Sequence, residues 1–460
     1  MKGDAKHIPH VDTGAYPLRA GNEVEPLVDG EKAFGSIARA VAEAHRSVWV
    51  TVAFLKDAFE MPDGHGSLFD VLDRATERGL DVRVIFWRSQ PQEDDQAGIH
   101  FFGTEAQRDA LAARGSRFKA RWDVLPGELC HHQKSWLVDA GAPDEIAYVG
   151  GINLEPASVA EPGHPPRDQG NIHDVYVRVR GPAATDVHHN FVQRWNEASE
   201  RDREDGAWPE AVACSDLPFP QELSPTRGEV PVQITRTVRQ EVYTSEHPTP
   251  GGKPFAVAAG ESSVFDQYNA AIDNAERSIY IEDQVIASPG IIERLDAALE
   301  RGVEVVFLVP GNAHPQFVEA RKNPKLASLF EPFHALGRFE HFCLAGIASN
   351  AGPAEYHDVY VHAKVALVDD VWATIGSTNV AERSFQGDTE MNASFWHRPT
   401  VRDLRVELLR EHLGVDTAHL EDAAALRLYR ERARKNAAAR AQGQPLDGLA
   451  FEIDPLRYGH

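Results

Sequence analysis

Cysteine is scarce in this chain of 460 residues. Its three cysteines, Cys130, Cys214 and Cys343, are odd in number and far apart. They make no disulfide framework and read as small buried thiols in a reducing compartment. Long apolar runs are missing too: the longest, Val48 to Leu55, falls far short of the ~20 residues that cross a bilayer. The opening stretch, residues 1–14, lacks the apolar centre of a secretory signal. These absences predict a cytoplasmic chain without an integral membrane segment, at most peripheral on a membrane. Positive charge is also short. Lys and Arg number 47 against 70 Asp and Glu, a formal charge of -23. A nucleic acid would meet net repulsion outside a local basic groove, so it is disfavoured as a partner.

What is present is an ordinary globular composition, 42% hydrophobic and 25% charged, which excludes wholesale disorder and fibrous architectures. At roughly 100 to 200 residues per domain, the length fits two or three domains or one large duplicated unit. Internal similarity favours duplication. Ala44-His45-Arg46-Ser47-Val48-Trp49-Val50 recurs as Ala275-Glu276-Arg277-Ser278-Ile279-Tyr280-Ile281, and Glu77-Arg78-Gly79-Leu80-Asp81-Val82 as Glu300-Arg301-Gly302-Val303-Glu304-Val305. His132-Gln133-Lys134 then recurs as His362-Ala363-Lys364. Three matches in one order at nearly one displacement define two homologous lobes.

Each lobe alternates helix and strand. Helical spacing over 31–45 precedes a strand over 47–54, a helix over 67–78 and a strand over 82–87. In the second lobe the same rhythm gives a helix over 264–276, a strand over 278–282, a helix over 289–301 and a strand over 303–309. Such alternation predicts an α/β fold: two lobes, each a mainly parallel or mixed sheet flanked by helices, related by a pseudo-twofold axis with one shared active site. The expected boundaries are 1–202 for the N-terminal lobe, 203–235 for a Pro-rich, acidic surface connection, 236–415 for the C-terminal lobe and 416–460 for a helical extension. Residues 421–441 are rich in Ala and Arg. A basic helix of this kind could touch an anionic membrane, but its apolar face is mostly alanine, and a solvated helix is expected.

The third of these matches opens a larger element, H-x-K-x-x-x-x-D, present as His132, Lys134, Asp139 and again as His362, Lys364, Asp369. A glycine-containing turn and an amide follow each copy, ending in Asn153 and Asn379. With 21 His and few Lys, about half a His-x-Lys pair is expected by chance, so two complete copies at matching places of a repeat form a strong signal. On a strand, residues two apart share a face, which points each His and Lys into one site. The aspartate would face away if the strand ran straight on, so Asp139 and Asp369 are expected to close the strand end or pair with a buried base rather than touch substrate.

These groups suit a phosphodiester. Two ammonium groups and two Asn amides neutralise and hold the non-bridging oxygens. One imidazole attacks phosphorus, forming a phosphohistidine, while the other protonates the leaving alcohol and then activates the acceptor. Imidazole fits both roles because its ordinary pKa lies near neutrality. The lysines supply the positive field, so the expected cofactor list is empty and no metal is expected. Cys130-His131-His132 looks like a metal cluster, but on a strand neighbours face opposite sides. Trp136 and Trp372 could cage a choline by cation–π contact; lying in strand-like runs, they are expected in the core.

The duplicated motif resembles the signature of the phospholipase D superfamily, and the resemblance covers most of the chain. Tyr148-Val149-Gly150-Gly151-Ile152-Asn153-Leu154, His173-Asp174, Gly181-Pro182-Ala183-Ala184 and Asn190-Phe191-Val192-Gln193-Arg194-Trp195-Asn196 are similar to the corresponding stretches of true phospholipases D. So are Ile279-Tyr280-Ile281-Glu282-Asp283-Gln284, Arg383-Ser384, Glu390 and Glu411-His412-Leu413-Gly414. Asp283 stands where that family has Asn. The resemblance implies that Asp174 and Glu390 orient the two histidines, that His132 is the nucleophile and His362 the acid/base. It implies a phosphodiesterase that hydrolyses glycerophospholipids at a membrane surface to phosphatidate and an alcohol, with transfer to added alcohols. The alternatives are a phosphatidyltransferase of cardiolipin synthase type, a nuclease, and a lipid-binding scaffold without activity.

Overall fold

The computed structural model describes residues 8–89, 101–210, 213–323 and 330–460. The first seven residues of the N-terminal stretch read for a signal lie outside them. The N-terminal lobe comprises β1 (Arg19–Val28), α1 (Gly30–Glu43), β2 (Ser47–Val52), α2 (Leu68–Glu77), β3 (Asp81–Trp87), α3 (Glu105–Arg114) and β4 (Lys119–Asp123). It continues with β5 (Ser135–Val138), β6 (Ile146–Gly150), β7 (Ile172–His173), β8 (Val175–Arg180), α4 (Ala184–Glu197) and β9 (Ala207–Trp208). Its sheet runs in the order β9-β4-β3-β2-β5-β6-β8-β1, with only β4, β3 and β2 mutually parallel.

The C-terminal lobe begins with β10 (Val230–Val238), β11 (Glu261–Ser262), α5 (Ser263–Asn274), β12 (Ser278–Glu282), β13 (Ile286–Ala287), α6 (Pro289–Glu300) and β14 (Glu304–Leu308). Next come α7 (Pro315–Lys322), α8 (Glu331–Leu336), β15 (Phe342–Gly352), β16 (Glu355–Val361), β17 (Val365–Val368), β18 (Trp372–Gly376) and β19 (Val380–Ala381). The chain ends with α9 (Glu382–Gln386), β20 (Glu390–Phe395), α10 (Arg398–Leu413), α11 (Asp422–Ala441) and β21 (Ala450–Glu452). The order here is β21-β15-β14-β12-β17-β18-β20-β10, with β15, β14 and β12 parallel. The two sheets are therefore strand-for-strand equivalents. They join where β1 pairs antiparallel with β10, Arg19 opposite Val232.

Each lobe's main sheet is mixed, with its parallel pairing in the three strands β4, β3 and β2 or β15, β14 and β12. Helical crossovers connect those three; of the antiparallel pairs, β5–β6 and β17–β18 are hairpins, while β1–β8, β2–β5, β10–β20 and β12–β17 join strands remote in sequence. The first residues of β10 fall in the stretch that composition assigns to the connection. Pro231 breaks the strand pattern by sequence, yet Val232 and Ile234 are buried against the neighbouring sheet.

Each repeated segment has the same local job in both lobes. Arg78 donates to the carbonyls of Val41, Ala42 and Ala44 at the end of α1. Arg301 donates to those of Ile272 and Ala275 at the end of α5. Both cap carbonyls that a helix leaves unpaired. The glycine that follows each, Gly79 and Gly302, has φ of 85° and 88°, a left-handed turn that costs glycine nothing. Trp136 and Trp372 are fully buried in the lobe cores. Helix α11 is packed rather than wholly solvated. Ala425, Leu426, Tyr429 and Ala433 are buried, while Arg427 and Arg430 pair with Glu304, Arg434 with Glu452 and Arg440 with Asp358. No helix among the described residues is long and apolar enough to cross a membrane.

Candidate active site

Both histidines precede their strands instead of lying within them. His132 and Lys134 sit just before β5, and His362 and Lys364 between β16 and β17. What extends these segments is pairing with the opposite lobe. The His132 N–H donates to the Thr389 carbonyl at 2.9 Å, and the Thr389 N–H to Cys130 at 3.0 Å; the His362 N–H donates to the His173 carbonyl at 2.8 Å. In the second case β16 and β7 pair in parallel, Val361 opposite His173. Each motif is thus stitched to the residue just before the other lobe's acidic residue, Glu390 or Asp174.

The side chains cross in the same way. His132 Nδ1 lies 3.0 Å from Glu390 Oε2 and 3.0 Å from the Ser377 carbonyl. His362 Nδ1 lies 2.6 Å from Asp174 Oδ2. A carbonyl can only accept, so His132 carries its proton on Nδ1 and presents a bare Nε2 lone pair. Burial first, and then the two lysine charges, hold both imidazoles well below their ordinary pKa, so each ring is neutral before substrate arrives. Glu390 is held in turn by the Ser377 hydroxyl at 2.5 Å. Burial raises both Glu390 and Asp174 to about 7, against the pull of Lys134 and Lys364.

The lysines are fully buried. Lys134 donates to the His132 carbonyl at 2.9 Å, and its ammonium stands 5.4 Å over the Phe54 ring. Lys364 donates to the His362 carbonyl and lies 3.5 Å from Gln284 Oε1. Burial lowers Lys134 to about 8 and lowers Lys364 as well. Gly151 makes room for this packing. A Cβ there would stand 2.4 Å from Asp174 Oδ1 and 3.0 Å from Lys364 Cδ.

Two adjoining cavities open on the histidines. One, of about 310 Å³, is lined by His132, His362, Lys56, Asn153, Glu155 and Tyr360 among others. The second, of about 410 Å³, is lined by His132, Asn379 and Ser384 and by an apolar wall of Trp87, Val285, Phe317, Ala320 and Phe330. Phe54, Gln284 and His314 border both. The structure therefore brings together His132, Lys134, His362, Lys364, Asp174 and Glu390, and sets one Asn on each cavity.

Asp139 and Asp369 lie apart from the cavities. Asp139 accepts from the backbone N–H groups of His45, Arg46 and Ser47 at 2.6–3.1 Å. Asp369 accepts from those of Glu276, Arg277 and Ser278, each at 2.8 Å. With φ of 56° and 55°, each turns the chain after its strand and locks the junction between the preceding helix and strand. These junctions are the segments that recur in the sequence. Asp283 accepts from the N–H groups of Val285 and Val380, tying β12 to β19. His131 is held by Asp123 and Thr389, and all three cysteines are buried and free.

Sequence reasoning assigned no role to Ser377, Gln284, His314, Lys56 or Tyr360. Gln284 stood inside a quoted motif and Ser377 beside Asn379. Nothing in the sequence marked His314, Lys56 or Tyr360, which the fold alone brings to the site.

Residues 268–411 match the family model described as cardiolipin synthase, PLD-like domain, and residues 165–291 that of phospholipase D. The chain is 24% identical to phospholipase D A of Dictyostelium discoideum over 87% of its length, and 22% identical to phospholipase D alpha 2 of Oryza sativa over 89%. It spans 36% and 66% of those two proteins. It is also 22% identical to the cardiolipin synthase of Listeria welshimeri, covering 88% of this chain and 71% of that one. Its fold superposes on the crystal structure of phosphatidylserine synthase from Haemophilus influenzae with a TM-score of 0.55 at 12% identity, covering 95% of this chain and 98% of that one. The duplicated motif, the paired lobes and these matches agree that the chain belongs to the phospholipase D superfamily.

Proposed function

We propose that the protein is a phospholipase D-type phosphodiesterase that hydrolyses glycerophospholipids to phosphatidate and an alcohol and transfers the phosphatidyl group to added alcohols. The observation that carries this reading is the pair of imidazoles on one cavity, each held at Nδ1 by a carboxylate of the opposite lobe. In the first step His132 Nε2 forms a bond to phosphorus as the bond to the head-group oxygen breaks. His362 Nε2 gives the departing oxygen a proton. That requires a protonated His362, and the substrate supplies the condition: its negative charge offsets the lysine field that otherwise keeps the ring neutral, and Asp174 stabilises the imidazolium. In the second step His362 takes a proton from water or alcohol, whose oxygen displaces His132 from phosphorus. Lys134, Lys364, Asn153 and Asn379 hold the non-bridging oxygens. The polar cavity beside an apolar wall fits an amphiphile better than a nucleic acid, in line with the charge of -23.

A second reading, phosphatidyl transfer to a lipid alcohol, draws on the cardiolipin synthase matches. One experiment addresses both. Vesicles of phosphatidylcholine or phosphatidylglycerol are incubated with the protein and products are identified by mass spectrometry, with single-stranded DNA as a further arm. Phosphatidate plus free head group supports hydrolysis, whereas cardiolipin with released glycerol supports the transferase. Turnover confined to DNA overturns both. His132→Asn should lower turnover by at least ~10³-fold and abolish a trapped covalent phosphoenzyme; a fully active variant refutes the assignment of His132.

A further inference from the structure

A second cluster of chemistry-bearing side chains lies outside the cavities, behind Asp174. Asp29 sits between β1 and α1, His164 in the loop after β6, His173 in β7 and Glu411 near the end of α10. All four are buried or nearly so, and one ligand-capable atom from each lies within 4.8 Å of the others. His173 Nδ1 stands 2.9 Å from Asp29 Oδ1. His164 Nε2 stands 3.6 Å from that same oxygen and 3.3 Å from Glu411 Oε1.

The ring of His164 is fully buried, yet neither of its nitrogens closes an aligned hydrogen bond, and Asp29 Oδ2 has no partner. Buried polar atoms in such a state call for an explanation. Four ligands at about 2.0–2.1 Å from a tetrahedral zinc ion are about 3.3 Å from one another, close to the 2.9, 3.3 and 3.6 Å of the three histidine–carboxylate contacts in this cluster. For His173 the outer layer has the form that metal-bound histidines take. His173 Nε2 faces Glu282 Oε2 at 3.0 Å, and Glu282 accepts in turn from the Tyr280 hydroxyl at 2.6 Å.

We propose that Asp29, His164, His173 and Glu411 form a buried divalent-metal site, suited to zinc by its two imidazoles and two carboxylates. An all-oxygen set would favour magnesium or calcium, and thiolates are absent from the four. The ion would neutralise both carboxylates and leave the imidazoles uncharged, where ion pairs alone need buried imidazolium. Its place in the fold gives it a structural role. It would tie α10 of one lobe to β1 and β7 of the other. His173 precedes Asp174, and the Asp29 N–H donates to the Asp174 carbonyl at 2.9 Å, so the site would also fix the carboxylate that holds His362.

The test measures metal rather than turnover. The chain is produced without an affinity tag of histidines, dialysed and analysed by inductively coupled plasma mass spectrometry. Roughly one equivalent of zinc per chain is expected. His164→Ala and the near-isosteric Glu411→Gln should each lose it, while His132→Asn, with an altered reaction site, should keep it. Stripping with a strong chelator should lower Tm by roughly 5 °C, restored by zinc and not by magnesium. Less than a tenth of an equivalent after incubation with zinc, with unchanged Tm, overturns the proposal and leaves an ion-pair network. Zinc retained in both cluster variants overturns it too, because the ion then lies elsewhere.

Discussion

Lys134 and Glu390 set opposite limits on the same site. Glu390 and Asp174 are held at about 7 by burial. As pH falls through that value they gain protons and stop accepting from the imidazole Nδ1–H groups. Lys134 is held at about 8, so as pH rises through that value the phosphate loses a positive partner. The kcat/KM profile should therefore rise through about 7 and decline above about 8, the apparent values belonging to the cluster as a whole. Lys134→Arg tests the alkaline side. A guanidinium does not titrate in this range, so the variant, though slower, should keep its rate to higher pH. An unchanged alkaline limb would remove Lys134 as its cause.

The catalytic types and their spacing were legible at this scale because chemistry restricts them. Two His-x-Lys pairs in matched places leave few alternatives, and the resemblance supplied Asp174 and Glu390. Their crossed pairing was not legible: nothing in the local sequence says that His132 faces Glu390 rather than Asp174. His314, Lys56 and Tyr360 were invisible for the same reason, since a residue brought in by long-range packing leaves no periodicity behind.

At the scale of elements, Asp139 and Asp369 show what the last letter of the motif does. Each carboxylate accepts three backbone N–H bonds at the junction of a helix and the next strand. Asp369→Ala leaves those donors without a partner and places alanine at a φ of 55°. Destabilisation of about 2–4 kcal/mol is expected, read as a drop in the urea midpoint at an unchanged m-value. Asp369→Asn keeps one acceptor and tolerates the turn, so it should cost less. Equal losses would mean that the charge, not the geometry, matters there. Helices and strands read from periodicity fall close to those observed, because amphipathic spacing survives in isolation. The parallel pairs β2–β3 and β12–β14 follow from that alternation, whereas antiparallel pairs such as β2–β5 and β12–β17 join segments remote in sequence, which leaves no local pattern to read.

For the whole molecule, the lobes share one apolar core. Val149 and Val177 of the first and Ile375 and Ala393 of the second belong to the same buried cluster, and β1 pairs with β10 across the junction. Calorimetry should therefore show one cooperative unfolding transition. Two separated transitions would mean that the halves melt as independent units.

The exchange of carboxylates between the halves has an evolutionary consequence. After duplication, each half came to hold the partner acid for its sibling's imidazole, so neither copy is free to drift alone. A hybrid built from this chain's first half and a distant cousin's second would inherit both acids and both rings, yet its activity would depend on whether the foreign edge strands meet in register. Such chimaeras report on the seam between the copies, where each half completes the other's site.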